Sequence, residues 1–298
     1  MSAKDTSVST KRSRRRSGLG KQVPWGAVGY VLLGIILVIV FATPYIWMIG
    51  STFKPREEIF RYISPLSWRS FVPLNPTFDN IKTLFVEFDF SRPLINSLGV
   101  SIASVIFSLT VSSMIAFVLA WIEFPGRKIV FGAIMVTLLI VFEAKIVPLF
   151  LIMQRLGLQN TYISIFIPWL TDAFFVFLFY QHFKKLPKEL MEAAIIDGCS
   201  YFRAYWNVML PNIGPALISA AFIKFIFSWD SYIWPLITIT DESKQVVSVA
   251  IAKLFANEEV LWELVFAASF VSTIPIIILF LFLQRYYVEG VASSGVKG

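Results

Sequence analysis

The sequence predicts an all-α integral membrane protein with six transmembrane helices, and three observations carry that reading. Apolar residues make up 57% of the 298 positions and charged residues only 15%, where soluble domains carry about 25% charge. Several apolar runs reach the ~20 residues that a helix needs to cross the hydrocarbon core. Those runs do not alternate, as the roughly ten-residue strands of a membrane β-barrel would.

The formal charge of +7 raises the question of nucleic acid, and its placement answers it. Lys4, Lys11, Arg12, Arg14, Arg15, Arg16 and Lys21 crowd the stretch before the first apolar run, with no aromatic residue interleaved. That is the signature of an end retained on the inner side of the membrane. The same cluster can hold anionic lipid headgroups, so the expected partners include membrane lipid and no nucleic acid. A single cysteine excludes an intramolecular disulfide and a cysteine-rich metal site.

Residues 1–24 are rich in Ser, Lys and Arg and read as a disordered cytoplasmic tail. The first span covers about Trp25 to Ile49; it is too long for a signal-peptide core and no Ala-x-Ala site follows it. Residues 51–92 hold several prolines and read as an ordered outer loop with short helices. Span two runs from about Pro93 to Ile122. Span three runs to about Met153, interrupted by Glu143, Lys145 and Pro148. Span four covers Thr161 to Phe183, span five Asn212 to Ile237, and span six Trp262 to Gln284. The spans bound a membrane domain over 25–284, and the tail 285–298 returns inside.

Counting Lys and Arg tests this orientation. Seven lie in the tail, two at 127–128, four over 184–211 and two after the last span on the inside. Six at 51–92, Arg155 and two over 238–261 lie outside. The bias places both termini in the cytoplasm.

Between spans four and five lies a charged island, about 184–211. Pro187 suits the first position of a helix. Lys188 to Asp197 are good helix formers, and Gly198 can take the left-handed conformation that ends a helix. Ser200 can cap a second helix, Tyr201 to Leu210, which Pro211 closes. Glu192, Ala193, Ala194, Gly198, Val208, Leu210 and Pro211 stand at fixed spacings in this island. The pattern resembles the EAA loop of ABC-importer permease subunits, with Cys199 where that family usually has Ala.

The resemblance extends over most of the chain after residue 90. Phe225-Ile226-Phe227-Ser228-Trp229-Asp230 and Trp234-Pro235-Leu236 are similar to span five of the carbohydrate-type permeases, although Asp230 stands where Asn is common. The closing Gln284-Arg285-Tyr286-Tyr287-Val288-Glu289-Gly290 and Gly295-Val296-Lys297-Gly298 resemble the end of maltose-type second permease subunits. The resemblance implies the type I importer permease fold and residence in a bacterial plasma membrane. It implies a heterodimer with a second permease, a pair of ATPase subunits beneath and a solute-binding protein outside. In that scheme Glu192, Ala193, Ala194, Asp197, Gly198, Leu210 and Pro211 seat on an ATPase subunit, and Gly295, Val296, Lys297 and Gly298 reach into the ATPase interface.

No G-x-x-x-x-G-K-[ST] phosphate loop occurs in the chain. ATP and Mg would therefore be bound by the partner ATPase, and no cofactor is expected in this chain. There is no G-x-S-x-G elbow and no second histidine beside His182, so an intramembrane enzyme lacks its residues. Charged residues within spans mark functional candidates, because burying them in a membrane is costly. Here these are Glu143, Lys145, Asp172, Lys224 and Asp230. Lys224 is expected to pair with Asp172 or Glu143. Asp230 beside Trp229 would offer a carboxylate and a stacking ring to a sugar. The function expected is import of a carbohydrate, with a polyol or glycerol phosphate ester as the alternative. A lone ion-coupled secondary transporter is the rival of a different class.

Overall fold

A computed structural model describes residues 25–65, 67–256 and 259–295. The basic tail over 1–24 and Val296, Lys297 and Gly298 lie outside the described residues. Every regular element among those described is helical. Three helices are each long and apolar enough to span a membrane, and three bent helix pairs bring the number of candidate spans to six.

Helix α1 covers Trp25–Thr52, and its residues up to Ile46 form a unit of their own. Pro44 lies inside it and removes one helical hydrogen bond. The second unit begins at Trp47. The segment between α1 and the next long helix holds the short helices α2 (Arg56–Ile59) and α3 (Asp79–Val86). The fully buried Lys54 organises this segment, its Nζ donating to the carbonyls of Arg69 at 3.0 Å and Ser70 at 2.7 Å. Asn80 Nδ2 donates to the carbonyls of Thr52 and Lys54, and Glu58 accepts from the Leu74 N–H. Burial holds the Lys54 ammonium below its ordinary pKa, partly offset by Glu58. Gly50 is required here because a Cβ would lie 2.0 Å from the Phe71 carbonyl oxygen.

Helix α4 (Ser91–Trp121) is the spine of the bundle. Ser97, Ser101, Ser104, Ser108 and Ser112 are buried at spacings of three and four, so they share one face. Small residues along that face let α8 and α12, defined below, approach closely. Span three is α5 (Arg127–Val136) followed by α6 (Phe142–Arg155), bent by 106°. The break falls at Ile140–Val141, ahead of Glu143 and Lys145; those charges and Pro148 lie within α6. Span four is α7 (Tyr162–Phe166) with a 3-10 turn through Trp169, then α8 (Ala173–Phe183), bent by 48°. Asp172 caps α8, its Oδ1 accepting from the Phe174 N–H at 3.0 Å.

The island between spans four and five folds as α9 (Lys188–Ile196) and α10 (Tyr201–Ala204), then a π-helical stretch over Tyr205–Met209 and α11 (Leu210–Asn212). Pro187 is the cap of α9 rather than its first residue. Pro211 does not close the second helix, which continues to Asn212. The wider π turn before it accommodates a residue that has no N–H to give.

An 82° bend at Ile213 leads into α12 (Gly214–Trp229). The expected fifth span to Ile237 is thus divided: α12 stops at Trp229 and α13 (Ile233–Thr238) is separate. Pro235 in α13 cannot bond back to the Ser231 carbonyl, and the Ser248 hydroxyl takes that acceptor at 2.6 Å. Helix α14 (Val247–Phe255) precedes α15 (Trp262–Gly295), whose backbone stays helical to Gly295. Arg56 pairs with Glu259 at 2.5 Å and donates to the Val260 carbonyl, joining the segment of α2 and α3 to the approach of α15.

Candidate coupling and pathway sites

Two places concentrate the residues singled out in the sequence. The first is the α9–α10 corner. Gly198 has φ +79°, its N–H bonds the Ile195 carbonyl, and the Cys199 N–H bonds that of Ala194. Those two bonds are the Schellman closure, which a left-handed residue permits. Ser200 Oγ then accepts from the Arg203 N–H and starts the next helix. A nine-residue helix is too short to hold itself in water. Packing supplies what is missing. Met191, Ala194, Ala204, Tyr205 and Met209 are buried in one core with Phe117 of α4 and Phe179 and Phe183 of α8. The Tyr205 hydroxyl shares a 2.8 Å hydrogen bond with Ser113. Of the two alanines expected to approach a partner, Ala194 turns into its own core, whereas Ala193 faces outward with Glu192, Asp197 and Ile196, the last 84% exposed. Leu210 packs on the same core and Pro211 is exposed.

The second place is a cavity of about 250 Å³ among α4, α6, α7, α8 and α12. Lys224 and Asp172 meet there with Nζ and Oδ2 4.0 Å apart. Of the two acidic partners considered for Lys224, the structure supplies Asp172. Lys145 lies 5.9 Å from the Trp169 ring centroid, a cation–π distance. Glu143 is exposed and has no ion-pair partner among the described residues. Trp229 and Asp230 do not form the pair expected of them. Trp229 is 3% exposed and stacked on Phe225 at 17°, while Asp230 is exposed at the end of α12. Consecutive residues at a helix end point in different directions, so adjacency in sequence does not make a shared site. Sequence reasoning missed Trp169, Phe142 and the serines of α4. Their signal was present in the three-and-four spacing of serines along an otherwise apolar span.

This arrangement of bent spans around one serine-faced helix has a counterpart among known proteins. A family model described as the binding-protein-dependent transport system inner membrane component matches residues 97–293, more than half of the chain. The chain belongs to that family. It is a membrane-spanning transport permease subunit, and so not an enzyme in itself. The arabinooligosaccharides transport system permease protein AraQ of Halalkalibacterium halodurans is 34% identical over 91% of this chain and 95% of its own length. The lactose transport system permease protein LacG of Rhizobium radiobacter is 28% identical over 84% of this chain and 89% of its own. An Escherichia coli sn-glycerol-3-phosphate transport system permease protein, UgpE, is 29% identical over 91% and 98%. In three dimensions the permease is similar to a chain of a bacterial ABC transporter involved in the import of the acidic polysaccharide alginate. That match has a TM-score of 0.76, covers 88% of this chain and 96% of that one, and has 24% identity. It bears on the fold alone.

Proposed function

We propose that this permease is one of two in an ATP-driven, binding-protein-dependent importer of a carbohydrate in a bacterial plasma membrane. The observation that carries the coupling reading is the core shared by the α9–α10 corner and the spans α4 and α8. A partner that moves α9 must move those spans, because a close-packed core transmits displacement rather than absorbing it. An ATPase pair docks on the exposed face of Glu192, Ala193, Ile196 and Asp197. Its closure on ATP rocks the spans between inward- and outward-facing arrangements. ATP and Mg bind to that pair. The end of α15, with Gly295 and the following Val296, Lys297 and Gly298, reaches toward it. Both termini face the cytoplasm, and the solute-binding protein docks on the opposite side.

The carbohydrate class is supported by the arabinooligosaccharide and lactose permeases among the relatives; the glycerol phosphate ester permease keeps that ester as the second reading. Membership of a binding-protein-dependent family speaks against the lone ion-coupled transporter. The pathway candidates Glu143, Lys145, Asp172, Lys224 and Asp230 remain assigned to transport, with Asp172 and Lys224 foremost. The test is co-purification in detergent followed by reconstitution. An ATPase subunit should accompany the permease, and sugar uptake should need ATP and the binding protein. Ion-driven uptake by the permease alone would refute the reading.

A further inference from the structure

We propose that the cavity at Lys224 and Asp172 is a substrate subsite selective for neutral polyhydroxylated compounds, the two side chains together gripping a pair of adjacent hydroxyls. This rests on the importer reading above. Three breaks in the spans converge on the cavity: α6 begins at Phe142, the turn between Trp169 and Asp172 joins α7 to α8, and α12 ends before Ser231. Broken helices meeting within a bundle are where transporters place their ligand sites. Phe142, Ile165, Trp169 and Phe227 form an apolar and aromatic wall, against which Lys224, Asp172 and three serines converge, the mix from which ligand cavities are built.

The pair itself is under-satisfied. At 4.0 Å it is too long for a hydrogen bond, and among the described residues Lys224 Nζ otherwise meets the Trp169 carbonyl at 3.5 Å and the face of the Phe175 ring at 5.8 Å. Oδ1 of Asp172 is used as a helix cap, which leaves Oδ2 with no hydrogen bond among the described residues. Lys224 is 4% exposed. The Asp172 side chain is 25% exposed toward the cavity, so the buried ammonium is the costly member, and a charge held this loosely is expensive unless something bridges it to its partner. A diol does so: one hydroxyl accepts from the ammonium and its neighbour donates to the carboxylate.

The opposed charges cancel. An anionic substrate meets the Asp172 carboxylate, and a cationic one meets Lys224. The Trp169 indole lines the same cavity, held by Phe142 at 5.4 Å and by Lys145. Its ring offers the apolar surface on which the C–H face of a sugar stacks. Ser228, hydrogen-bonded to Ser104 at 3.1 Å, and Ser231 supply further hydroxyls.

The test uses the assembled importer in nanodiscs without its binding protein, so that only the permease pathway contributes. Equilibrium dialysis compares labelled arabinotriose, maltotriose and lactose with trigalacturonate and glycerol 3-phosphate. At least one neutral probe should bind and the anionic ones should not. Trp169→Ala should weaken neutral binding about tenfold or more. Asp172→Asn, which retains a capping side chain, should turn the selectivity toward the anions, a reversal that general damage to the fold would not produce. The double variant Lys224→Gln/Asp172→Asn buries no unpaired charge and should bind both classes weakly. The proposal is overturned if anions bind the wild type as well as neutral sugars do, or if Trp169→Ala binds them unchanged. It is also overturned if no neutral probe binds an importer that, reconstituted in sealed vesicles with its binding protein, transports neutral sugar. An assembly that transports no sugar in that last arrangement refutes the carbohydrate reading itself.

Discussion

The hydroxyl of Tyr205, in the π-helical stretch after the Gly198 corner, lies 2.8 Å from the buried Ser113 Oγ of α4. Ser113 is on α4, the helix whose Ser97 accepts from the Val247 N–H at 2.7 Å toward its other end. Sixteen residues separate the two serines, about 24 Å of helix at 1.5 Å per residue. One rod thus touches the corner, the cavity at Ser104 and the helix α14. Tyr205→Phe removes the hydrogen bond and leaves Ser113 buried without it. The expected cost is about 1 kcal/mol, visible as a small fall in the Tm of the purified chain. Uptake per ATP hydrolysed should fall further than stability does.

Gly198→Leu should separate insertion from coupling. Nothing lies within 4 Å of a Cβ built at this position, but its φ is +79°, and a left-handed residue with a side chain costs about 1–2 kcal/mol. The protein is expected to reach the membrane in normal amount while α9 shifts and transport-coupled ATP hydrolysis is lost. Gly198→Asn, which tolerates this conformation better, should keep part of the activity. Reconstituted ATPase and uptake assays check both variants.

Lys54→Met retains the aliphatic stem and strips the hydrogen bonds from the Arg69 and Ser70 carbonyls. Leaving buried acceptors unpaired costs about 1–3 kcal/mol. Amides over 69–80 should exchange faster with deuterium, and those of the α9–α10 corner should not change.

Acid should loosen the segment around Asp241 and Glu242 locally. The Ser243 hydroxyl and N–H hold the Asp241 carboxyl below its ordinary range, and Lys253, 2.6 Å from Glu242, does the same there. Groups with depressed pKa values contribute above their unfolded values and lose that contribution as pH falls through the folded ones. Amide protection over 240–255, taken relative to the intrinsic exchange rate at each pH, should therefore be flat from neutral pH down to the normal carboxylate range and fall below it. Glu242→Gln should blunt the change.

Much of this was legible in the chain alone. Composition and run length placed the six spans, and Gly198 with Ser200 marked the corner because left-handed turns and helix caps depend on local chemistry. The breaks were less visible. Ile140 and Val141 are as apolar as their neighbours, so the bend between α5 and α6 leaves no compositional trace. Pro211 reads as a stop signal, and only the π turn before it, itself held by Tyr205 and Met209 in the core, lets the helix continue. Trp229 and Asp230 looked like one site because they are adjacent, but burial divides them. The serine spacing in α4 was readable and would have pointed to the face that gathers Asp172 at Ser112 and Ser228 at Ser104.

The most direct measurement places a cysteine on the exposed face of α9. In a Cys199→Ser background, which removes the native cysteine, the Ile196→Cys variant of the assembled importer is treated with a short cross-linker in sealed vesicles. Coupling through this corner predicts a cross-link to the ATPase subunit whose yield changes when ATP binds, and protection from a membrane-impermeant maleimide added outside. Labelling from the outer side, or a residue 196 that never reaches the ATPase in a transporting complex, would contradict it.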